Sequence, residues 1–327
     1  MIYWNDTGTV AGIRLFLIVG SMILGGIAAI ATVVAFFGST WWVFDFLANY
    51  RWYLFWILVL ASVIYALTAQ GWMLIVLIAA AAVNAALIIP MWFGSQPEST
   101  GEDSLRIVQV DATGGFEERD EALEWFISSD ADVLIISGGT TRITADVVTD
   151  ETGWLVLLQP DVDNTAGLVI LGKQLWDTAV MPTGVDNDTV VRISAGEGTG
   201  AYDIITAWGP TASSSEKAQR LTARLDTIKT LTESATHPVV VVGNLGATIW
   251  TSGMRNLLST TELRDAAKGY GYLSTSNASG IPIIGGWMGL PLDVVLMTPD
   301  ATPIELETGP DIGAGHLPVD VLVGPVG

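Results

Sequence analysis

The sequence contains no cysteine, few basic residues and only two histidines. Without cysteine the chain forms neither disulfides nor thiolate-ligated zinc sites, although this does not identify its compartment. Lysine and arginine number 14 against 34 aspartates and glutamates, which gives a net charge of -20. A chain this acidic repels nucleic-acid phosphates, because their binding depends on neutralisation by lysine and arginine. We therefore predict no nucleic-acid partner, although solubility is the simpler reason for the acidity.

Long apolar runs dominate the first hundred residues, where charge is nearly absent. The runs cover residues 13–37, 52–69 and 72–93. Each has about the length that a helix needs to cross roughly 30 Å of hydrocarbon. The first run is too long for the apolar region of a cleaved signal peptide, and no basic cluster precedes it. The sequence therefore predicts a three-helix transmembrane domain over residues 1–94, in preference to core helices of a soluble protein.

The orientation of these helices depends on few signals. Trp41, Trp52 and Trp92 lie at the ends of the runs, where an aromatic belt marks the membrane interface. Arg14 and Arg51 are the basic residues of this region and are predicted on opposite sides, so the positive-inside signal is small. We predict a protein that is integral to a membrane and in contact with the lipid bilayer. Its N-terminus is expected inside and its soluble domain extracytoplasmic.

The rest of the chain is predicted to be a linker followed by one α/β domain. Residues 95–104 are polar and contain proline, glycine and acidic residues, which is typical of a linker. Residues 105–327 alternate strand and helix patterns. Ser213 and Glu216 have capping-box spacing before a helix that extends to about Ser234. Early and late strands bracket the helices, which indicates two sheets with helices outside. The predicted helices cover 117–128, 213–234 and 253–260, and the predicted strands 105–110, 132–137, 154–158, 167–171, 190–193, 203–207, 237–243, 293–297 and 317–323.

Read in order, these segments resemble the endonuclease/exonuclease/phosphatase superfamily, in particular its bacterial members with three N-terminal membrane helices. The resemblance implies the DNase I-like fold, a four-layer α-β-β-α sandwich, in a protein of the bacterial cytoplasmic membrane. It is carried by the strand that ends at Asp111, the Gly243-Asn244-Leu-Gly246-Ala247 segment, the Leu-Asp293-Val strand and the Gly315-His316-Leu-Pro motif. Several motifs match in order and spacing, whereas no one of them would be sufficient.

The same resemblance implies that most of the hydrolytic site is altered. Gly138 and Gly315 stand where the family has carboxylate ligands, and Asp111 stands where it has asparagine. Asn244 replaces an aspartate and Gly246 an asparagine, while Trp208 takes the place of the first catalytic histidine. Phosphoester hydrolysis on this fold needs a cation and a base that activates water. The resemblance therefore implies no functional catalytic residue, no metal and no other cofactor in this chain.

One fragment of the family's site persists. Asp293 and His316 match its orienting aspartate and its histidine base, a pair that holds imidazole in one tautomer. The pair is either a residual proton-transfer dyad or a hydrogen-bonded pair retained for packing.

Three functions follow from these observations. The leading hypothesis is a catalytically inactive, membrane-anchored protein that acts as a binding or scaffolding subunit of a membrane or envelope complex, with a membrane-protein partner. Trp208, Trp250 and Trp287 give it slight support, because tryptophan is enriched in interface cores, although buried packing is the better explanation of each. The alternative is an active magnesium- or manganese-dependent phosphodiesterase or phosphatase whose relocated ligands are Asp111, Asp293 and His316. A third possibility is that the membrane helices carry the function and the domain regulates them.

Overall fold

A computed structural model of the chain describes residues 8–69, 71–101, 103–113, 119–138, 153–159, 167–185, 188–276 and 288–327. Two compact units make up the chain. The first comprises Met1–Pro90 with Trp250–Ser252, and the second comprises Met91–Ile249 with Gly253–Gly327.

The first unit is helical. Three stretches are long and apolar enough to cross a membrane, Val10–Thr40, Arg51–Thr68 and Met73–Phe93, which confirms three apolar N-terminal helices. Gly25 lies at a close helix contact, since a Cβ there would stand 2.5 Å from Leu77 Cδ2 and 2.9 Å from Ala61 Cβ. The elements are α1 (Gly8–Val34), a 3₁₀ turn (Ala35–Thr40), α2 (Trp42–Ala48), α3 (Arg51–Thr68), α4 (Met73–Ile88) and α5 (Pro90–Phe93), whose last three residues belong to the second unit.

Two arginines link the antiparallel helices α1 and α3 at opposite ends. Arg14 Nε donates to the carbonyl of Thr68, the last residue of α3, at 2.9 Å. Arg51 Nη1 donates to the carbonyl of Thr32, in the last turn of α1, at 3.0 Å. The last carbonyls of a helix have no partner within it and carry partial negative charge, so each arginine stabilises the C-terminus of the other helix.

Arg51 was predicted as a flanking charge, but the structure places it inside the helix bundle. Its side chain is fully buried, lies 4.3 Å from the centre of the Phe36 ring, and contacts Asn84 Oδ1 at 3.3 Å. Asn84 in turn donates to Thr32 Oγ1 at 2.8 Å. Burial inside protein is how membrane helices accommodate charge, so Arg51 is a poor indicator of orientation.

Within the described residues, the second unit contains twelve strands and three further helices. Its helices are α6 (Arg119–Ser128), α7 (Ser215–Glu233) and α8 (Ser252–Thr260, whose first residue belongs to the first unit), with a 3₁₀ turn at Gly198–Gly200. The strands are β1 (Leu105–Asp111), β2 (Val133–Ser137), β3 (Leu155–Leu158), β4 (Val169–Gly172), β5 (Asp177–Pro182), β6 (Thr189–Ala195), β7 (Tyr202–Ala207), β8 (Val239–Asn244), β9 (Arg264–Asp265), β10 (Asp293–Met297), β11 (Ala301–Thr308) and β12 (Val319–Pro325).

The strands form two six-stranded sheets packed face to face. One has the order β11-β12-β1-β2-β4-β3 and the other β5-β6-β7-β8-β10-β9. Strands β1 and β2 are parallel, as are β7 and β8, and the other pairs are antiparallel. Residues such as Ile107 and Ile204 fill the space between the sheets, while α6 and α7 cover the outer faces. This is the predicted four-layer α-β-β-α sandwich.

Several local predictions were wrong or incomplete. Strands β5, β9 and β11 were not predicted from the sequence. The N-cap of α7 is Ser214, whose Oγ accepts from the amide of Lys217 at 3.2 Å, whereas Ser213 had been expected in that role. Ser213 Oγ instead accepts from Lys217 Nζ at 3.2 Å. The predicted start of α6 at Glu117 lies outside the described residues.

The predicted linker is hydrogen-bonded along the second unit. Gln96 Nε2 donates to the carbonyls of Asp265, Ala266 and Lys268 at 3.1–3.2 Å. Ser99 forms an antiparallel bridge with Val326. This segment is therefore part of the folded unit and not a free tether.

Candidate functional site

The ends of five strands meet at one edge of the sandwich. Asp111 ends β1, Gly138 follows β2, Trp208 follows β7 and Asn244 ends β8. Asp293, the first residue of β10, pairs directly with Asn244 in the antiparallel ladder. Because β1 runs parallel to β2 and β7 runs parallel to β8, their carboxyl ends emerge together, which is where α/β sheets place ligand sites.

Asp111 is the centre of one hydrogen-bond cluster. Its side chain is buried, and its Oδ2 accepts from Trp208 Nε1 at 2.8 Å and from Asn244 Nδ2 at 2.7 Å. Its Oδ1 accepts from the amide of Thr113 at 3.0 Å. Three N–H donors thus compensate one buried carboxylate, as burial of a charge requires.

Asp293 and His316 form a second cluster beside the first. His316 Nδ1 lies 2.7 Å from Asp293 Oδ2, and since a carboxylate only accepts, Nδ1 carries the hydrogen. The other oxygen, Oδ1, accepts from Gln109 Nε2 at 3.0 Å. The structure therefore brings the two members of the predicted remnant dyad together, with a glutamine as a third member.

The carboxylates of both clusters act electrostatically on His316. Burial lowers the pKa of His316, but the hydrogen bond and charge of Asp293 and the charge of Asp111 outweigh it, so the pKa lies above its usual 6.5. One ligand atom each of Asp111, Asp293 and His316 lies within 4.8 Å of the others. The imidazole, which lies between two buried carboxylates, therefore binds its proton more tightly than an ordinary histidine does.

Glycine is required at Gly138. Its φ is +67°, and a Cβ there would lie 2.6–2.7 Å from Cγ2, Cα and the amide nitrogen of Thr113. Two of those atoms are backbone and cannot rotate away. A glutamate at this position therefore has no room for its first side-chain carbon.

Glycine is required at Gly246 and favoured at Gly315. A Cβ on Gly246, where φ is +79°, would lie 2.5 Å from the Pro210 carbonyl oxygen. Its amide donates to Asn244 Oδ1 at 2.9 Å, which orients the carboxamide toward Asp111. Gly315, immediately before His316, has φ +84°, a conformation that side chains rarely adopt.

In a divalent cation site the carboxylate oxygens face the ion, whereas in this site they face N–H donors. Magnesium prefers six oxygen ligands, including one or two carboxylates. Here five N–H groups point at the oxygens of Asp111 and Asp293. Magnesium or manganese at these oxygens would have to displace those donors. As they stand, the residues do not fit such an ion.

Sequence reasoning missed Gln109, which is fully buried and joins the site through Asp293. A signal was available, because side chains alternate across a strand and Gln109 stands two residues before Asp111. Its Oε1 has no hydrogen-bond partner within the described ranges. Of the tryptophans proposed for an interface, Trp250 is buried and Trp287 lies outside the described residues.

Comparison with solved structures identifies the fold. D. rerio TDP2, humanised by 14 mutations, superposes with a TM-score of 0.55 at 11% identity, covering 68% of this chain and 100% of that chain. An endonuclease/exonuclease/phosphatase family protein from Bacteroides thetaiotaomicron gives 0.52 at 11%, covering 70% and 97%. The human Nocturnin catalytic domain, with bound sulfate, gives 0.53 at 14%, covering 68% and 95%.

The second unit therefore has the DNase I-like fold of the endonuclease/exonuclease/phosphatase proteins, as the sequence predicted. No protein-family model matches the chain. No curated protein matches it by sequence either.

Proposed function

We propose that this chain is a divergent, membrane-anchored member of the endonuclease/exonuclease/phosphatase superfamily that does not hydrolyse phosphoesters. It acts as a binding or scaffolding subunit of a membrane or cell-envelope complex, through a membrane-protein partner. It holds no resident metal and takes no nucleic acid as ligand. Its high acidity, with 34 acidic against 14 basic residues, supports the exclusion of nucleic acid.

One observation carries this proposal: the chain compensates the buried charge of Asp111 with its own neutral donors. Trp208 Nε1 and Asn244 Nδ2 both donate to Asp111 Oδ2. An indole N–H cannot accept a proton, and a carboxamide has no charge with which to activate water. These two positions therefore stabilise the folded cleft and supply no general base.

The lack of space for a side chain at Gly138 supports the same conclusion. Restoring a ligand carboxylate there would require the Thr113 backbone to move. The site has thus lost the residue and also the space for it. A single reverse substitution is not expected to recreate a phosphoesterase.

A phosphoesterase assay tests the inactive state directly. The full-length protein in detergent is incubated with p-nitrophenyl phosphate and bis(p-nitrophenyl) phosphate, with magnesium, manganese or calcium. The two histidines provide a matched pair of variants, since His316 belongs to the site and the imidazole of His237 is 42% exposed. We expect no turnover above that of His316→Ala. Metal-dependent turnover that is abolished in His316→Ala and retained in His237→Ala would overturn the proposal.

A second candidate is a metal-dependent phosphodiesterase or phosphatase that uses Asp111, Asp293 and His316. The observation in its favour is the approach of their ligand atoms to within 4.8 Å. The five N–H donors on the two carboxylates argue against it. The assay above separates the two, and calorimetric titration of manganese into the protein and into Asp111→Asn gives an independent readout.

The scaffolding role predicts a complex of fixed composition. Extraction from native membranes in a mild detergent, followed by native mass measurement, should give the chain with a partner at constant stoichiometry. Recovery of the chain by itself in every mild detergent would argue against scaffolding and leave the inactive state unaffected.

We further propose that the three apolar helices insert in the bacterial cytoplasmic membrane with the second unit extracytoplasmic. Because the sequence contains no cysteine, Lys229→Cys on α7 creates a single thiol with which to test this orientation. A membrane-impermeant maleimide should label it in intact spheroplasts. Labelling that occurs only after lysis would reverse the orientation.

A further inference from the structure

The last three residues of the third apolar stretch, Met91–Phe93, belong to the second unit. The stretch runs from Met73 to Phe93. Within it, the carbonyl of Met91 accepts from the amide of Gly269 at 2.9 Å and from that of Gly271 at 2.8 Å. The residues that end the apolar stretch are therefore already bonded to the loop at 268–272.

Aromatic side chains cluster at this junction. The rings of Trp92 and Tyr272 stack at 6.2 Å with an interplanar angle of 13°. Phe93 is 83% exposed and Trp92 42% exposed. Tryptophan and tyrosine are enriched where a membrane helix meets the headgroups. Lys268, also exposed, is suited to anionic headgroups.

The loop at 268–272 packs closely against this segment. Gly269 has φ +93°, and a Cβ there would lie 2.5 Å from the carbonyl oxygen of Gly94, so the two backbones approach as closely as glycine permits. Tyr270 donates to the carbonyl of Pro303 at 2.7 Å. The loop cannot leave Met91 without breaking several hydrogen bonds at once.

We infer that the 268–272 loop is a membrane-contact surface that lies in the lipid headgroup layer. The inference rests on the membrane insertion proposed above. The headgroup layer extends about 5–7 Å beyond the hydrocarbon core on each side. A loop whose amides bond to Met91, two residues before the end of the apolar stretch, lies within that distance. The partner is the bilayer that contains the third helix, and Lys268 favours anionic lipid there.

Single-cysteine spin labelling measures the depth of this loop. The full-length protein carries Leu24→Cys, Lys268→Cys or Lys229→Cys, each the sole cysteine, in nanodiscs that contain phosphatidylglycerol. Leu24 is an exposed residue of α1, and Lys229 on α7 is the matched lysine control. Relative collision with oxygen and with a nickel chelate gives the depth of each label.

The three labels distinguish the possible outcomes. We expect the label at 24 within about 15 Å of the bilayer centre, the label at 268 at about 15–22 Å, and the label at 229 in water. A label at 268 as accessible to nickel as the label at 229, with the label at 24 in hydrocarbon, overturns this inference alone. A label at 24 in water refutes membrane insertion itself, and this inference with it.

Discussion

Asp265 offers a sharp test of how burial governs the acid–base behaviour of this domain. Its side chain is buried, Oδ1 accepts from the amide of Ala267 at 3.0 Å, and Oδ2 has no hydrogen-bond partner in the described part of the chain. It lines a cavity of about 20 Å³, room for about one water molecule. Loss of hydration raises its pKa from 3.8 to about 6, against smaller opposing effects of Ala267 and Lys268.

The sign and size of the effect follow by linkage. A carboxyl whose pKa is raised by folding binds its proton more tightly in the folded state, so stability falls as pH rises from about 4 to about 6. A shift of about two pKa units corresponds to about 3 kcal/mol at roughly 1.4 kcal/mol per unit. For a domain of this size that is roughly 6–12 °C in Tm. Above pH 7 Asp265 is ionised in the folded state as well, so the full loss of stability is present.

The substitution Asp265→Asn isolates this contribution. It removes the charge and leaves a carboxamide whose oxygen can still accept from the amide of Ala267. If the new NH₂ group stays unpaired, it lowers the stability by about 1–3 kcal/mol at every pH. The measurement is therefore the difference in Tm between wild type and variant from pH 4 to pH 7.5, with Asp226→Asn on exposed α7 surface as control. The Tm of the variant should rise relative to wild type by several degrees over this range. Parallel curves for wild type and Asp265→Asn would refute the reasoning.

Three further predictions concern the site and α7. The pKa of the His316 imidazole should lie above 6.5 by NMR and should fall in Asp293→Asn, because only the charge of Asp111 then opposes the effect of burial; an unchanged midpoint would contradict this. The stability that this pair adds is present below pH 6.5 and is lost as pH rises through the folded-state pKa, so the Tm advantage of wild type over Asp293→Asn should shrink at alkaline pH. Gly138→Ala should lower the unfolding free energy by about 1–3 kcal/mol through its positive φ and close contacts, measured by thermal unfolding, and a neutral result would mean that the backbone relaxes freely. Ser214→Ala should cost about 1 kcal/mol of α7 stability and Ser213→Ala much less, and the reverse order would restore Ser213 as the cap.

Strands that are covered on both faces could be predicted from the sequence. Strands β2 and β8 are continuous apolar runs, and every residue of each is buried. Strands β5 and β11 were missed because they lie at sheet edges and contain Pro182 and Pro303. Proline removes a ladder donor and is tolerated only at such edges, so the sequence gives no clear strand pattern there.

Most residues of the site could be predicted from the sequence, whereas Gln109 and the hydrogen bonds between the residues could not. Resemblance indicated Asp111, Asn244, Trp208 and the Asp293–His316 pair, and the structure brings all five to one edge. That Trp208 and Asn244 both donate to Asp111 could not be read from spacing, because the three residues come from different strands. The interaction depends on side-chain directions that only the packed sheets define.

Arg51 shows a different limit of sequence reasoning. A lone arginine beside an apolar run indicates a flanking charge. This interpretation uses only the neighbouring sequence and does not consider which other helices pack against the arginine. The carbonyl of Thr32 and the side-chain oxygen of Asn84 come from elements distant in sequence. Hydrogen bonds to these two oxygens help to offset the free-energy cost of burying the Arg51 guanidinium.

The position of β12 governs when the second unit can finish folding. This strand lies between β11 and β1, and its Val323 pairs with Leu105, across nearly the whole length of that unit. Contacts between such distant segments form slowly, since the loop-closure entropy comes first. During synthesis, β1 therefore waits with one edge unpaired until residues 319–325 have left the ribosome. The apolar helices are translated long before that, so the membrane insertion proposed above would hold the nascent chain at the bilayer while its sheet is still open.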